Sequence, residues 1–294
     1  MKVGIYGQFY HKEAGRYVQQ LLDILDQKQI EVIIEKNFLS LIRANDEIKE
    51  NYDHFSTFKE LDSSYDLFFS IGGDGTILKT ATYIRDLNIP IAGINTGRLG
   101  FLATIKKEEI AASIDKIIDG QYQVSKRTLL QAFIGDETNA LGDLNFALNE
   151  ITVNRKNTTS MISITTHLDG EKLTNYWADG LIVATPTGST GYSLSCGGPV
   201  IAPETSSIVL TPIAPHNLNA RPLVVPDNTV ITLQVSGREE QHLISLDSRI
   251  VTLDNDKTVT LKKAPFTIKL ITLEGESFLK TIRKKLLWGE DKRN

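Results

Sequence analysis

Ser70-Ile-Gly-Gly-Asp-Gly-Thr76 places three glycines and one carboxylate in a single turn, directly after the apolar run Leu67–Ile71. Glycines so close together let backbone N–H groups approach phosphate oxygens at the start of a helix, the place where an open α/β sheet gathers its ligands. Asp74 is out of place among phosphate-binding amides unless it accepts a proton, holds a metal ion or bonds a hydroxyl. Neither common glycine signature is met. A dinucleotide fingerprint needs glycine where Leu78 stands, and the Gly-Lys-Ser/Thr of a Walker A loop occurs nowhere in the chain. A plain strand-to-helix turn using glycine for positive φ is the competing reading.

Asn95-Thr-Gly-Arg-Leu-Gly-Phe-Leu102 follows the next apolar run and is expected at the same sheet edge, with Gly97 and Gly100 allowing a tight loop. Asn149-Glu150 interrupts an apolar strand with an amide and an acid, groups suited to a base edge or to ribose hydroxyls; such a pair is also common at strand ends. In Asp179–Gly198 the run Leu181–Ala184 leads into Thr185-Pro-Thr-Gly-Ser-Thr-Gly-Tyr192, a hydroxyl-rich loop expected to feed a helix N-terminus and to suit a polar neutral ligand or phosphate. Hydroxyls that satisfy one another are the usual outcome of that composition. The histidines, His11, His54, His167, His216 and His242, lack ligand spacing, and the single cysteine, Cys196, can form neither an intrachain disulfide nor a thiolate zinc site. No metal site built from protein side chains is expected. Ser189 and Ser193 lie outside Gly-x-Ser-x-Gly, so hydrolase chemistry has little support.

The elements that must hold these segments follow from periodicity. Val3–Tyr6, Val32–Ile34, Leu67–Ile71 and Ile89–Ile94 read as strands. Val18, Leu21, Leu22 and Leu25 fall at helical spacing, as do Ile77, Leu78, Ala81 and Ile84, then Ile110, Ile114, Ile117 and Ile118 before Gly120. A further helix is expected over Leu39 to about Lys49. This alternation predicts βα units around a parallel sheet in residues 1–121. From residue 122 apolar residues recur at every second position, Asp169-Gly170 signals a hairpin, and every proline except Pro90 follows Thr185. Residues 122–272 therefore read as a mainly β domain. Phe278, Leu279, Ile282 and Leu286 resume helical spacing, so residues 273–294 are expected to form a helix packing back on the first domain. The run Lys280, Arg283, Lys284, Lys285 complements that helix's C-terminus.

At 294 residues, 23% charged and 41% hydrophobic, the chain belongs to neither a disordered nor a collagen-like class. Lys and Arg number 32 against 36 Asp and Glu, a net charge of -4 that leaves no excess positive field for a nucleic-acid backbone. No apolar run approaches the roughly 20 residues that span a bilayer, and Met-Lys-Val-Gly-Ile-Tyr-Gly reads as a strand rather than a signal peptide. The expectation is a cytoplasmic protein with no nucleic-acid or membrane partner.

Taken together, Gly72-Gly-Asp-Gly-Thr76, the Asn95-Thr-Gly-Arg-Leu-Gly-Phe loop, Asn149-Glu150, Asp179-Gly180, the Thr185–Pro199 block and Pro215-His-Asn-Leu-Asn-Ala-Arg-Pro-Leu-Val224 resemble the NAD kinase family, over nearly the whole chain. The first motif is shared with lipid and sphingoid kinases; the hydroxyl-rich block with Asn149-Glu150 is far more specific. The resemblance implies a Rossmann-like α/β N-terminal domain, a β-sandwich C-terminal domain, and a C-terminal helix returning to the first domain. It implies transfer of the γ-phosphoryl of ATP to the 2′-hydroxyl of the adenosine ribose of NAD, with Asp74 as general base, a divalent cation such as Mg²⁺ carried with ATP, and a homodimer or homotetramer. The binding set it implies is Gly72, Gly73, Asp74, Gly75, Thr76, Lys79, Asn95, Asn149, Glu150, Asp179, Thr187, Thr190, Gly191, Tyr192, Ser193, Ser195 and Arg249. Three departures stand out: Trp177 where relatives often carry a basic residue, Gly191 where alanine is usual, and Arg249 where an amide is common. Trp177 is either a ring stacked near the ligand or a residue packed in the β domain's core.

Overall fold

The computed structural model describes residues 1–9, 14–50, 52, 54–98, 100–135, 141–157 and 160–288, so His11 and Leu99 lie outside the described residues. The chain divides into two compact units, one of Met1–Lys126 with Ile268–Asn294 and one of Arg127–Thr267.

The first unit alternates strands and helices: β1 (Lys2–Gly7), α1 (Ala14–Gln27), β2 (Glu31–Glu35), α2 (Lys36–Arg43), β3 (Ser56–Phe58), β4 (Leu67–Gly72), α3 (Asp74–Ile84), β5 (Ile91–Asn95), β6 (Ile105–Lys106) and α4 (Ile110–Ile118). The sheet order is β5-β4-β1-β2-β3, all parallel, with β6 also on β5. Every residue of β4 and β5 is buried. A parallel strand covered by helices on both faces has no polar side, which is why Leu67–Ile71 carries only one hydroxyl among apolar residues. In α1 the spaced residues Val18, Leu21, Leu22 and Leu25 are all buried.

The second helix is a correction to the sequence reading, since it spans Lys36–Arg43 and not Leu39 to Lys49. Glu35 caps its start by accepting the Phe38 N–H at 2.9 Å, and Asn45 Oδ1 then takes the Glu47 N–H at 2.9 Å, a local turn that competes with helix continuation.

The second unit is an antiparallel sandwich of β7 (Tyr122–Ile134), which begins in the first unit, β8 (Phe146–Ala147), β9 (Glu150–Arg155), β10 (Ile162–Leu168), β11 (Glu171–Ala178), β12 (Gly180–Ala184), β13 (Ser207–Ile213), β14 (Leu223–Pro226), β15 (Ile231–Ser236), β16 (Gln241–Leu246), β17 (Arg249–Asp254) and β18 (Thr258–Leu273), which ends in the first unit. One sheet runs β14-β13-β12-β9-β16-β17; strands β11-β10-β15-β18 form the other. Ile151, Val153, Leu181, Val183, Leu210 and Ile244 from the first meet Ile164, Leu233, Val259 and Leu261 from the second in one buried cluster. Alternation along each strand makes this possible, because every second side chain faces the opposite sheet. Asp169 and Gly170, with φ of 50° and 84°, form the expected hairpin turn between β10 and β11. The loop after β12 yields only a 3₁₀ turn, Thr187–Thr190, and a single helical turn, α5 (Tyr192–Ser195), in place of a full helix. Gly191 between them is extended, with φ −95° and ψ −131°, and breaks helical continuity.

The end of β18 pairs with β5 in parallel, Leu270 opposite Ile91, and α6 (Phe278–Leu286) follows within the first unit, its start capped by Ser277 Oγ on the Lys280 N–H. No helix among the described residues is long and apolar enough to cross a membrane.

Candidate active site

In the first unit β4 ends on Gly72, whose φ of 153° favours glycine; a Cβ there would lie 2.2 Å from Thr76 Oγ1. That hydroxyl accepts the Gly73 N–H at 3.3 Å and closes the turn, so Thr76, fully buried, is used in shaping it. At Gly73 and Gly75 a Cβ would meet nothing within 4 Å, which leaves the outer side of the turn open to a ligand. Lys79 is exposed one turn along α3, its ammonium 5.5 Å from the Tyr83 ring centre.

Asp74 begins α3 and reaches the loop after β5. Its Oδ2 accepts the Phe101 N–H at 2.7 Å; Oδ1 accepts those of Leu102 at 3.0 Å and Ala103 at 3.1 Å. A carboxylate offers about four lone-pair directions, two per oxygen, so Oδ1 is filled and Oδ2 keeps one free. Gly100 is needed for this approach, since a Cβ there would lie 1.9 Å from Asp74 Oδ1. Asn95 is engaged within its own loop, accepting the Gly97 N–H and donating to the Arg98 carbonyl, each at 2.8 Å. It shapes the loop beside Asp74.

In the second unit Asn149 and Glu150 enter β9. Glu150 is buried, and neither its Oε2 nor Asn149 Oδ1 has a hydrogen-bond partner. A buried polar atom without a partner costs about 1–3 kcal/mol, so both oxygens are left open to donors from outside the protein. Burial, and after it the charge of Asp247, push the Glu150 carboxyl up to about 8, against the pull of one N–H from Tyr192. Gly191 lies against the pair: a Cβ there would stand 3.0 Å from Glu150 Oε2 and 3.5 Å from Asn149 Nδ2. Burial also pushes the Tyr192 phenol up, with Cys196, Asp179 and Glu150 adding to the shift. Asn149, Glu150, Asp179, Gly191 and Tyr192 thus share one neighbourhood.

The hydroxyl block is largely self-contained. Thr185 Oγ1 donates to the Leu148 carbonyl at 2.6 Å, Ser189 Oγ to that of Pro186 at 2.7 Å, and Thr190 Oγ1 to that of Thr187 at 3.1 Å, while Ser193 pairs with Thr211 at 2.8 Å. Thr187 is buried, and Ser195 is exposed. Arg249 is held in a similar way, its guanidinium donating to the Leu144 and Phe146 carbonyls and lying 5.5 Å from the Phe146 ring centre. Of the two readings of Trp177, packing in the core is overturned: the residue is 49% exposed on β11, its ring 4.4 Å from that of His216. In strand alternation its neighbours Tyr176 and Ala178 face the core, so Trp177 must face outward.

Sequence reasoning missed several groups. Arg155 pairs with Asp179 at 3.0 Å, a contact set by the β9–β12 register. Gly188 packs on Asn149, where a Cβ would meet the carbonyl oxygen at 2.1 Å. Asp247 accepts amides from residues 148–150, far away in the chain. No local pattern announces these partners.

The chain has counterparts among known proteins. Residues 3–122 match the model of the ATP-NAD kinase N-terminal domain, and residues 148–273 match that of the C-terminal domain. The chain belongs to the NAD kinase family. It is 61% identical over 294 residues to an NAD kinase of Christiangramia forsetii, covering 100% of both chains, and 40% identical over 293 residues to one of Bacteroides fragilis, again covering 100% of each. Among solved structures, yeast NADH kinase complexed with NADH aligns with a TM-score of 0.87 at 25% identity, over 99% of this chain and 89% of that one. An Archaeoglobus fulgidus NAD kinase in complex with ATP aligns at 0.74 and 25%, over 97% of each. Family membership makes the chain an enzyme that phosphorylates NAD.

Proposed function

We propose that this NAD kinase family member transfers the γ-phosphoryl of ATP to the 2′-hydroxyl of the adenosine ribose of NAD, forming NADP and ADP. The new bond joins the ribose oxygen to the γ-phosphorus, the bridging P–O bond to the β-phosphate breaks, and the hydroxyl proton passes to Asp74. The observation that carries this reading is the Asp74 carboxylate at the start of α3, fixed by three amides yet keeping one lone pair on Oδ2, beside a glycine turn with an open outer side. A ribose hydroxyl is a weak nucleophile at neutral pH, and a positioned base is worth about 10²–10⁴-fold in rate. The backbone amides of the glycine turn, with Lys79, face phosphate charge; Asn149, Glu150 and Asp179 hold the polar groups of NAD.

Among the described residues no group of three or more His, Cys, Asp and Glu is placed to hold a metal ion. In this proposal the divalent cation enters as part of the ATP complex, on the phosphate oxygens. The test is NADP formation by the purified chain from NAD, ATP and Mg²⁺, read by an NADP-specific dehydrogenase. Absence of NADP with every donor and cation offered overturns the proposal. Polyphosphate and NADH, offered in the same assay, measure donor and acceptor choice, and sedimentation tests the further proposal of a homodimer or homotetramer.

A further inference from the structure

Asp247 occupies the turn from β16 to β17, at a φ of 53°. Its Oδ1 accepts the N–H groups of Asn149 at 2.8 Å and Glu150 at 3.2 Å, and its Oδ2 accepts that of Leu148 at 3.0 Å. Its own N–H donates to the Glu150 carbonyl at 2.9 Å. Four hydrogen bonds thus join one turn to the entry of β9, and the two residues held there carry the unpartnered buried atoms Asn149 Oδ1 and Glu150 Oε2. Oxygens left bare in this way are acceptors, and the groups they lack are N–H or O–H donors of the kind a nucleoside presents.

We infer that Asp247 is a positioning residue for dinucleotide binding: by gathering three consecutive amides and lying as a negative charge beside Glu150, it sets where Asn149 and Glu150 present their free oxygens to the ligand. This rests on the reading of Asn149 and Glu150 as groups that hold NAD. Asp247 acts through them, and its own oxygens already face protein donors.

The charges around Glu150 agree. From the β16–β17 side it faces Asp247, itself attracted to Arg249; from α5 it faces Tyr192, which bonds Cys196; Asp179, at the start of β12, is paired with Arg155. Burial pushes both carboxyls up, but three amides and Arg249 pull Asp247 back, whereas Glu150 has only the Tyr192 amide. The amides thus favour the anionic form more at Asp247 than at Glu150. Hydroxyl donors from a bound ribose favour the carboxylate form, so binding is expected to strengthen as pH rises through about 8. Removing the charge of Asp247 moves that step to lower pH, a change that loss of structural support alone does not produce.

The experiment is calorimetric binding of NAD, and separately of ATP, across pH 6 to 9 for the parent, Asp247→Asn and Glu150→Gln. In Asp247→Asn the Kd for NAD is expected to rise about tenfold or more and the pH step to move down, with the Kd for ATP within about twofold. Glu150→Gln is expected to abolish the step. An unchanged Kd and step in Asp247→Asn overturns the inference and leaves the dinucleotide reading standing; a parent that binds no NAD overturns both. Should Asp247→Asn fail to fold, a parent without a pH step, or a step that Glu150→Gln retains, overturns the inference.

Discussion

Replacing Asp74 by asparagine separates the base proposed here from a carboxylate that only organises a loop. In the parent, Oδ1 holds two amides and Oδ2 holds one at 2.7 Å. If the asparagine oxygen takes the Oδ1 position, two of the three bonds survive and the side-chain NH₂ is left facing the Phe101 N–H. One lost charge-assisted bond and an opposed donor cost about 1–3 kcal/mol, felt as a lower Tm and a looser loop after β5. Loss of the base is expected to lower kcat about 10²–10⁴-fold, or roughly 2.7–5.4 kcal/mol of barrier, more than the loop damage supplies. The assay is steady-state NADP formation with kcat and both KM values, beside a melting curve. A companion, Gly100→Ala, pushes a Cβ to 1.9 Å from Asp74 Oδ1 and displaces the carboxylate without removing it. Misplacement of about 1 Å is expected to lower kcat by about 10² in that variant too. Folded Asp74→Asn turning over within about threefold of the parent would refute the base.

Gly188→Ala sets a Cβ 2.1 Å from the Asn149 carbonyl, so backbone must move; overpacking of about 1–3 kcal/mol is expected to raise the KM for NAD about tenfold or more, and an unchanged KM and Tm would count against the packing argument. Trp177→Arg is expected to leave Tm almost unaltered, because the ring is half exposed and its contact with His216 is worth about 0.5–1.5 kcal/mol. If Trp177 lies near bound NAD, that variant also steepens the salt dependence of the KM for NAD, and an unaltered salt response in a stable protein rejects the contact. His242 is fully buried, burial lowers its pKa, and its Nε2 has no partner. The unfolded chain takes up a proton that the folded one resists, so stability present above the unfolded value of about 6.5 is lost as pH falls; His242→Gln should flatten the acid side of a Tm-against-pH curve, and a curve identical to the parent's excludes His242 as the cause.

Much of the fold was legible locally. The Leu67–Ile71 run, the Val18–Leu25 spacing and the Asp169-Gly170 turn each state a preference that neighbours in sequence suffice to express, since burial on two faces, a helical stripe and a left-handed turn are properties of a few adjacent residues. The second helix was misread because the residues after Arg43 still look helical in composition, while Asn45 turns its side chain onto the Glu47 amide. Asp74 among glycines was conspicuous for a similar reason: a charge in a turn otherwise built of amides is an anomaly that needs no third dimension to notice.

What the sequence by itself determined is thus the kinds of element, their order and the chemically odd residues within them. Tertiary structure alone decided which of those residues remain free. Asn95, Thr190, Ser193 and Arg249 look like ligand groups by type, yet their hydrogen bonds close on the protein; Asn149 Oδ1 and Glu150 Oε2 stay bare, while the backbone amides beside them bond Asp247. The physical reason is range. Backbone preferences act between near neighbours, whereas hydrogen-bond satisfaction, burial and the charge felt by a carboxyl depend on groups brought together from distant parts of the chain, as Leu148–Glu150 and Asp247 are.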